Sequence, residues 1–156
     1  MQRYRRIFAE GGTFAFTVCL KDRRSGLLTE RMDDLRAAFR AMLSVHPVRI
    51  EAMCVMPDHL HTVWRLPEGD ADYPLRWQLI KRRFAGRIGA KVWQRRYWEH
   101  TIRSEKDLTN HINYVHYNPV KHGHARDMDD WPHSSWHRWK VESGHTWEMP
   151  PEGLHL

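Results

Sequence analysis

His59 and His61 stand one residue apart in Met56-Pro57-Asp58-His59-Leu60-His61-Thr62-Val63-Trp64. Residues i and i+2 of a β-strand point to the same face. A strand here aims two imidazoles at one point and turns Leu60 the other way. Two neutral imidazoles side by side are half of a divalent-metal site. Further along the chain, Tyr114 and Asn118 stand four residues apart. On a helix that spacing projects a phenol and a carboxamide from one face. Tyrosine is a usable nucleophile toward a phosphodiester when a divalent cation organises the phosphate. Two imidazole nitrogens and the Asn118 oxygen would make a three-ligand site with open positions. Mixed N/O ligation suits Mg²⁺, Mn²⁺ or a later transition metal. Attack by Tyr114 would leave a 5′-phosphotyrosine on the protein and a free 3′-hydroxyl on the other DNA end.

Each residue also has an ordinary structural explanation. A His-x-His pair is compatible with a zinc site, a core feature or a surface pair. A tyrosine in an amphipathic helix usually edges the core, and asparagine before proline usually ends a helix. Their conjunction in a basic chain points to the chemistry.

The elements that must position these residues follow from periodicity. Thr13 to Leu20 reads as a buried strand after a Gly-Gly turn. Thr29 to Ser44 reads as a helix, with Met32, Leu35, Phe39, Met42 and Leu43 at helical spacing. Val48 to Met56 and His59 to Leu66 form an antiparallel pair across Pro57-Asp58. Leu75 to Gly89 is a second helix, striped by Trp77, Ile80, Phe84 and Ile88. A short strand is expected around Tyr97 to His100. Ser104 caps a third helix, with Asp107 three residues on. Leu108, Ile112 and Val115 form its core stripe, and His111, Tyr114 and Asn118 a second stripe a quarter turn away. The helix is expected to run to Tyr117, because Pro119 disfavours a helical Asn118. This order predicts an α+β fold, a ferredoxin-like α/β sandwich with a central antiparallel sheet, helices on one face and a C-terminal tail. Residues 1–126 would form the catalytic unit and 127–156 a tail packed on or near the DNA-binding surface, in a single domain.

The 156 residues fit one domain with a real core. The net charge of +6 and pI near 9.6 point to an anionic partner, with nucleic acid ahead of a membrane surface. No apolar run approaches the roughly 20 residues of a membrane span. The start of the chain is a poor signal peptide, since Gly11-Gly12 interrupts its apolar stretch. Cys19 and Cys54 sit in apolar runs and there is no CxxC, so buried free thiols in a cytoplasmic protein are expected. Most histidines of the last third, His122 among them, read as surface or capping residues. Arg76, Lys81, Arg82, Arg83, Arg87, Lys91, Arg95 and Arg96 are interleaved with Trp77, Trp93, Tyr97 and Trp98. Cations for phosphates and aromatic faces for unstacked bases suit single-stranded or hairpin nucleic acid. Arg5, Arg6 and Lys121 join them as expected DNA contacts. From Asp127 onward the tail carries six Asp/Glu against two Lys/Arg.

At Met56-Pro57-Asp58-His59-Leu60-His61 the chain resembles the His-hydrophobic-His motif of the single-tyrosine HUH transposases. Tyr114-Val115-His116-Tyr117-Asn118-Pro119-Val120-Lys121-His122-Gly123 resembles the nucleophile helix of their REP-associated branch. Tyr4-Arg5-Arg6, Gly11 to Thr17 and Trp131-Pro132-His133-Ser134-Ser135 fit that branch too. The resemblance covers nearly the whole chain in order. It implies metal-dependent cleavage and rejoining of single-stranded DNA, with Mg²⁺ or Mn²⁺. The partner would be a repetitive extragenic palindrome (REP/BIME) hairpin with a 5′ tetranucleotide, bound by a monomer in the bacterial cytoplasm at the nucleoid. Tyr114 would be the nucleophile rather than Tyr117, and His59, His61 and Asn118 the metal ligands. The resembled insertion-sequence relatives carry Gln where this chain has Asn118. His111, one turn before Tyr114, is expected to orient the phenol or shuttle its proton. The rival readings are a non-catalytic palindrome-binding protein and a hydrolytic nuclease that uses water.

Overall fold

The computed structural model describes residues 11–143. In chain order they form β1 (Thr13–Cys19), α1 (Leu27–Glu30), α2 (Met32–Val45), β2 (Arg49–Val55), β3 (His59–Arg65), α3 (Tyr73–Ile88), β4 (Trp98–Thr101), α4 (Glu105–Lys121), a 3₁₀ turn (Met128–Asp130) and α5 (Trp136–Ser143). The sheet order is β2-β3-β1-β4, and every pairing is antiparallel. This is the expected ferredoxin-like architecture, built from two βαβ halves. Among the described residues, no helix is long and apolar enough to cross a membrane.

Strand alternation divides the core in two. Phe14, Phe16, Val18, Leu60 and Trp64 turn to one face, where α2 supplies Leu35, Phe39 and Met42 and α3 supplies Trp77, Ile80 and Phe84. The Trp64 and Trp77 rings stack there, with centroids 4.4 Å apart. Ala15, Ala52, Cys54 and Val63 turn to the other face and meet Ile112 and Val115 of α4. The helices therefore do not all share one face. α2 and α3 do, but α4 covers the opposite one, because its Ile112/Val115 stripe needs an apolar floor that the first face has already used.

The expected first helix is split at Arg31, whose φ of −114° and ψ of 39° interrupt it. α3 begins earlier than expected. Asp72 caps it by accepting from the Leu75 N–H, and Pro74 sits in its first turn. α4 does not stop at Tyr117. It runs through Pro119 to Lys121 and ends where Gly123 adopts φ 75°. Proline removes one helical donor, but Val115, Asn118 and Pro119 are buried, and tertiary packing overrides the local preference. The His122 N–H still reaches the Asn118 carbonyl at 3.0 Å.

The described part of the tail is ordered against the sheet edge. The Val55 N–H donates to the His133 carbonyl at 2.8 Å and the Ser135 N–H to the Met53 carbonyl at 2.8 Å, so residues 133–135 pair antiparallel alongside β2 at the sheet edge. His116 of α4 meets Ser135 Oγ at 2.8 Å, and Trp131 and Trp139 pack on the α4 core. Residues 127–143 thus complete the second core instead of hanging from it. Residues 144–156 lie outside those described.

Candidate active site

His59 and His61 open β3 on the face covered by α4. Their partners across β1 are Cys19 and Thr17. The two rings are nearly perpendicular, with centroids 4.8 Å apart. Asp58 holds His59 Nδ1 at 2.8 Å and is itself paired with Arg23 at 2.6 Å. A carboxylate only accepts, so neutral His59 carries its proton on Nδ1 and presents the Nε2 lone pair. His61 Nδ1 meets Thr17 Oγ1 at 2.9 Å, while its Nε2 is buried without a partner. Both rings are thus held from behind and present Nε2 forward.

Burial keeps the imidazoles neutral. His61 lies well below the ordinary histidine range because it is buried and because His59 and His122 are close. Burial also lowers His59, against the opposing pull of Asp58. Burial pushes the Asp58 carboxyl up, but hydrogen bonds from Arg23 and His59 outweigh it and hold the group below its usual value. Neutral imidazole is the ligating form.

α4 brings the other half. The Tyr114 ring stands edge-on to His61, with centroids 5.9 Å apart. Lys121 Nζ donates to the Tyr114 hydroxyl at 2.9 Å and lies 4.7 Å from the ring centroid. Asn118, one turn on, is 0 % exposed, and both of its amide atoms lack a hydrogen-bond partner. Its amide is close enough to His61 to bias that ring's protonation, but no aligned hydrogen bond forms. Buried polar atoms are almost always paired. An orphaned imidazole nitrogen beside an orphaned carboxamide oxygen is the donor set a divalent cation would satisfy, so these residues fit such an ion.

A cavity of about 620 Å³ opens over this group. His59, His61, Tyr114, Lys121 and His122 line it, together with Arg23, Gln94, Arg96 and Trp98. Trp98 is 39 % exposed and stacks on His100.

The structure thus gathers His59, His61, Tyr114, Asn118 and Lys121. It spreads the remaining expected DNA contacts widely. Arg82, Arg83, Lys91, Arg95 and Arg96 are exposed, and of these Arg96 lines the cavity. Arg87 is exposed but paired with Asp34 at 3.6 Å. Lys81 is half-buried and donates to the Gln94 carbonyl at 2.9 Å, tying α3 to the approach to β4. Arg76 does not face solvent as the sequence led us to expect. It is 2 % exposed, bonded to both Asp70 oxygens and to the His46, Pro47 and Asp72 carbonyls, so no donor is left for a phosphate. Arg5 and Arg6 lie outside the described residues.

His111 is also placed differently from expectation. Its Nδ1 meets the Asp107 carbonyl at 2.8 Å, and its ring stacks on His100 at 4.5 Å. The carboxylate and carbonyl of Asp107, one turn back, draw the ring toward β4, and the phenol oxygen is met by Lys121 instead. Tyr117 is not among the residues lining the cavity. Arg23, Gln94 and His122 line the cavity without having stood out in the sequence. Arg23 offered only a basic loop after β1. His122 lies two turns past Tyr114, a signal hidden by ending the helix at Tyr117.

No family model matches the chain. It is 47% identical over 139 residues to a REP-associated tyrosine transposase of Escherichia coli, covering 88% of this chain and 84% of that protein. It is 39% identical over 153 residues to a putative REP-associated tyrosine transposase of Haemophilus influenzae, covering 88% and 87%. A solved structure of a REP-associated tyrosine transposase bound to a REP hairpin matches with a TM-score of 0.89 and 41% identity, over 100% of this chain and 95% of that one.

Proposed function

Because the chain belongs to the REP-associated tyrosine transposases, we propose that it binds palindromic hairpins and cuts and rejoins single-stranded DNA through Tyr114. The observation that carries this reading is the Tyr114 ring set against His61 with Lys121 on its hydroxyl.

Tyr114 Oη is the nucleophile and attacks the phosphorus of one phosphodiester. The bond from phosphorus to the 3′ oxygen breaks, leaving a 5′-phosphotyrosine and a free 3′-hydroxyl. The phenol proton passes to water, and the leaving oxygen takes one from water. One phosphoester replaces another, so the cut end can be rejoined or transferred. Lys121 orients the phenol and meets the negative charge that develops on its oxygen. His59, His61 and Asn118 would hold a divalent cation, which would supply Lewis-acid polarisation of the scissile phosphate. Asp58 and Thr17 keep the imidazoles in register from behind. Arg23 and Arg96 at the rim attract the backbone, and the exposed Trp98 offers an unpaired base a face to stack on. The partner is a REP hairpin with a short 5′ single strand, bound by a monomer at the nucleoid in the cytoplasm.

The test is a labelled hairpin oligonucleotide with a 5′ extension, incubated with Mn²⁺ and run on a denaturing gel. A covalent protein–DNA band is expected, absent in Tyr114→Phe, which still binds. Cleavage without a band would instead favour a water-using nuclease. Binding with neither cleavage nor band would leave a non-catalytic palindrome binder.

A further inference from the structure

We propose that His122 is an additional, third imidazole ligand of the metal centre, and that the centre is built for a borderline transition ion such as Co²⁺, Ni²⁺ or Zn²⁺ rather than for Mg²⁺. The inference rests on the His59/His61 metal site proposed above and adds a ligand that the Tyr/Asn spacing does not reveal.

His59, His61 and His122 each offer a ligand atom, and the three lie within 4.8 Å of one another. The His122 ring stands nearly perpendicular to His59, with centroids 5.6 Å apart. A first-row ion with nitrogens at about 2.1 Å needs them about 3 Å apart, so one ring must close in slightly. His59 and His61 are each held from behind, by Asp58 and Thr17. His122 caps α4 through its backbone, and its side chain is exposed at the cavity, so it is the ring with room to turn. With Asn118 the set becomes three nitrogens and one oxygen. Mg²⁺ prefers oxygen and sheds water reluctantly, whereas imidazole suits later divalent ions. A ligand at the exposed end of a helix can also yield its position to a phosphate oxygen as DNA enters.

The test uses the full chain without DNA. Co²⁺ binding is followed by calorimetry and by the visible d–d spectrum in wild type, His122→Ala and His61→Ala. Removing a direct ligand should cost at least as much as the roughly 10–100-fold seen for supporting residues. The inference therefore expects His122→Ala to bind Co²⁺ at least about tenfold more weakly with an altered spectrum, free imidazole to restore part of the affinity, and millimolar Mg²⁺ not to displace Co²⁺ from wild type. Unchanged Co²⁺ affinity and spectrum in His122→Ala, with binding lost in His61→Ala, would overturn His122 as a ligand and leave the His pair standing. Displacement by Mg²⁺ would overturn the metal preference. Failure of wild type to bind Co²⁺, or full binding by His61→Ala, would remove the His59/His61 centre itself. Thermal melts of each variant separate loss of binding from loss of fold.

Discussion

Two histidine clusters lie along α4, and they are wired in opposite ways. Near its start, Asp107 sits between His100 and His111. Its carboxylate takes His100 Nε2 at 2.9 Å, the Arg103 N–H at 2.8 Å and His111 Nδ1 at 3.1 Å, and the two rings stack at 15°. Near its end, the carboxylate of Asp58 stands behind His59 and away from the other rings, and His61 Nε2 has no partner at all. The first cluster holds two imidazoles and an acid, the second three imidazoles and an acid. The first turns its carboxylate, His100 Nε2 and His111 Nδ1 toward one another, tying β4 to α4. The second keeps its forward nitrogens free above a cavity. The position of the acid, between the rings or behind them, separates a structural clasp from a candidate ligand set.

That contrast can be broken most sharply at His61. His61→Ala should reduce phosphotyrosine formation by about 10³-fold or more, since both ion and phosphate lose their organiser. Single-turnover adduct formation would measure it. The contrast fails if the variant reacts at the wild-type rate. Asp58→Asn keeps the shape but weakens the grip on His59 Nδ1. Calorimetry should show metal affinity lower by about 10–100-fold, and equal affinity would mean that the acid behind the ring is incidental.

A third histidine sharpens the structural side of the comparison. His116, buried under the tail, is pushed down to about 3 by burial, with His137 adding to the shift. The unfolded chain therefore takes up a proton near pH 6.5 that the folded chain refuses until about pH 3. Stability is fully present above pH 6.5 and falls as pH drops through that window, by up to about 1.4 kcal/mol per pH unit from this group. Urea unfolding between pH 7 and 4 should show that slope, and His116→Gln should flatten it. The smallest effect belongs to the clasp. Asp107→Asn should cost about 1 kcal/mol in urea unfolding while adduct formation per folded molecule stays within about twofold of wild type. A large loss of rate there would show that the clasp also serves the chemistry.

Much of this was legible along the chain because it follows from local periods. The strand period turned His59 and His61 together and Leu60 away. The i, i+4 spacing put Tyr114 and Asn118 on one helical face, apolar runs located three strands, and the mixed basic and aromatic segment around Tyr97 to His100 held the fourth. What was not legible depended on which neighbour each residue met. Arg76 reads like its basic neighbours, and only Asp70, the Asp72 carbonyl at the cap of its own helix and the His46 and Pro47 carbonyls make it structural. His111 shares a stripe with Tyr114, yet its contacts run to Asp107, His100 and Trp98. Pro119 argued for an early stop, and burial of the last turns of α4 overruled it.

Local patterning along the chain was enough to set the element order, the strand that aims the imidazole pair and the helix that carries the phenol and the amide. Each is set by side-chain period and by hydrophobic patterning, which act over a few residues. Long-range packing was needed to lay α4 on the histidine face, to bring Lys121 to the Tyr114 hydroxyl and to carry His122 round to His59. Those contacts need the apolar stripe of α4 to find the one sheet face left uncovered, a choice made by packing over the whole chain.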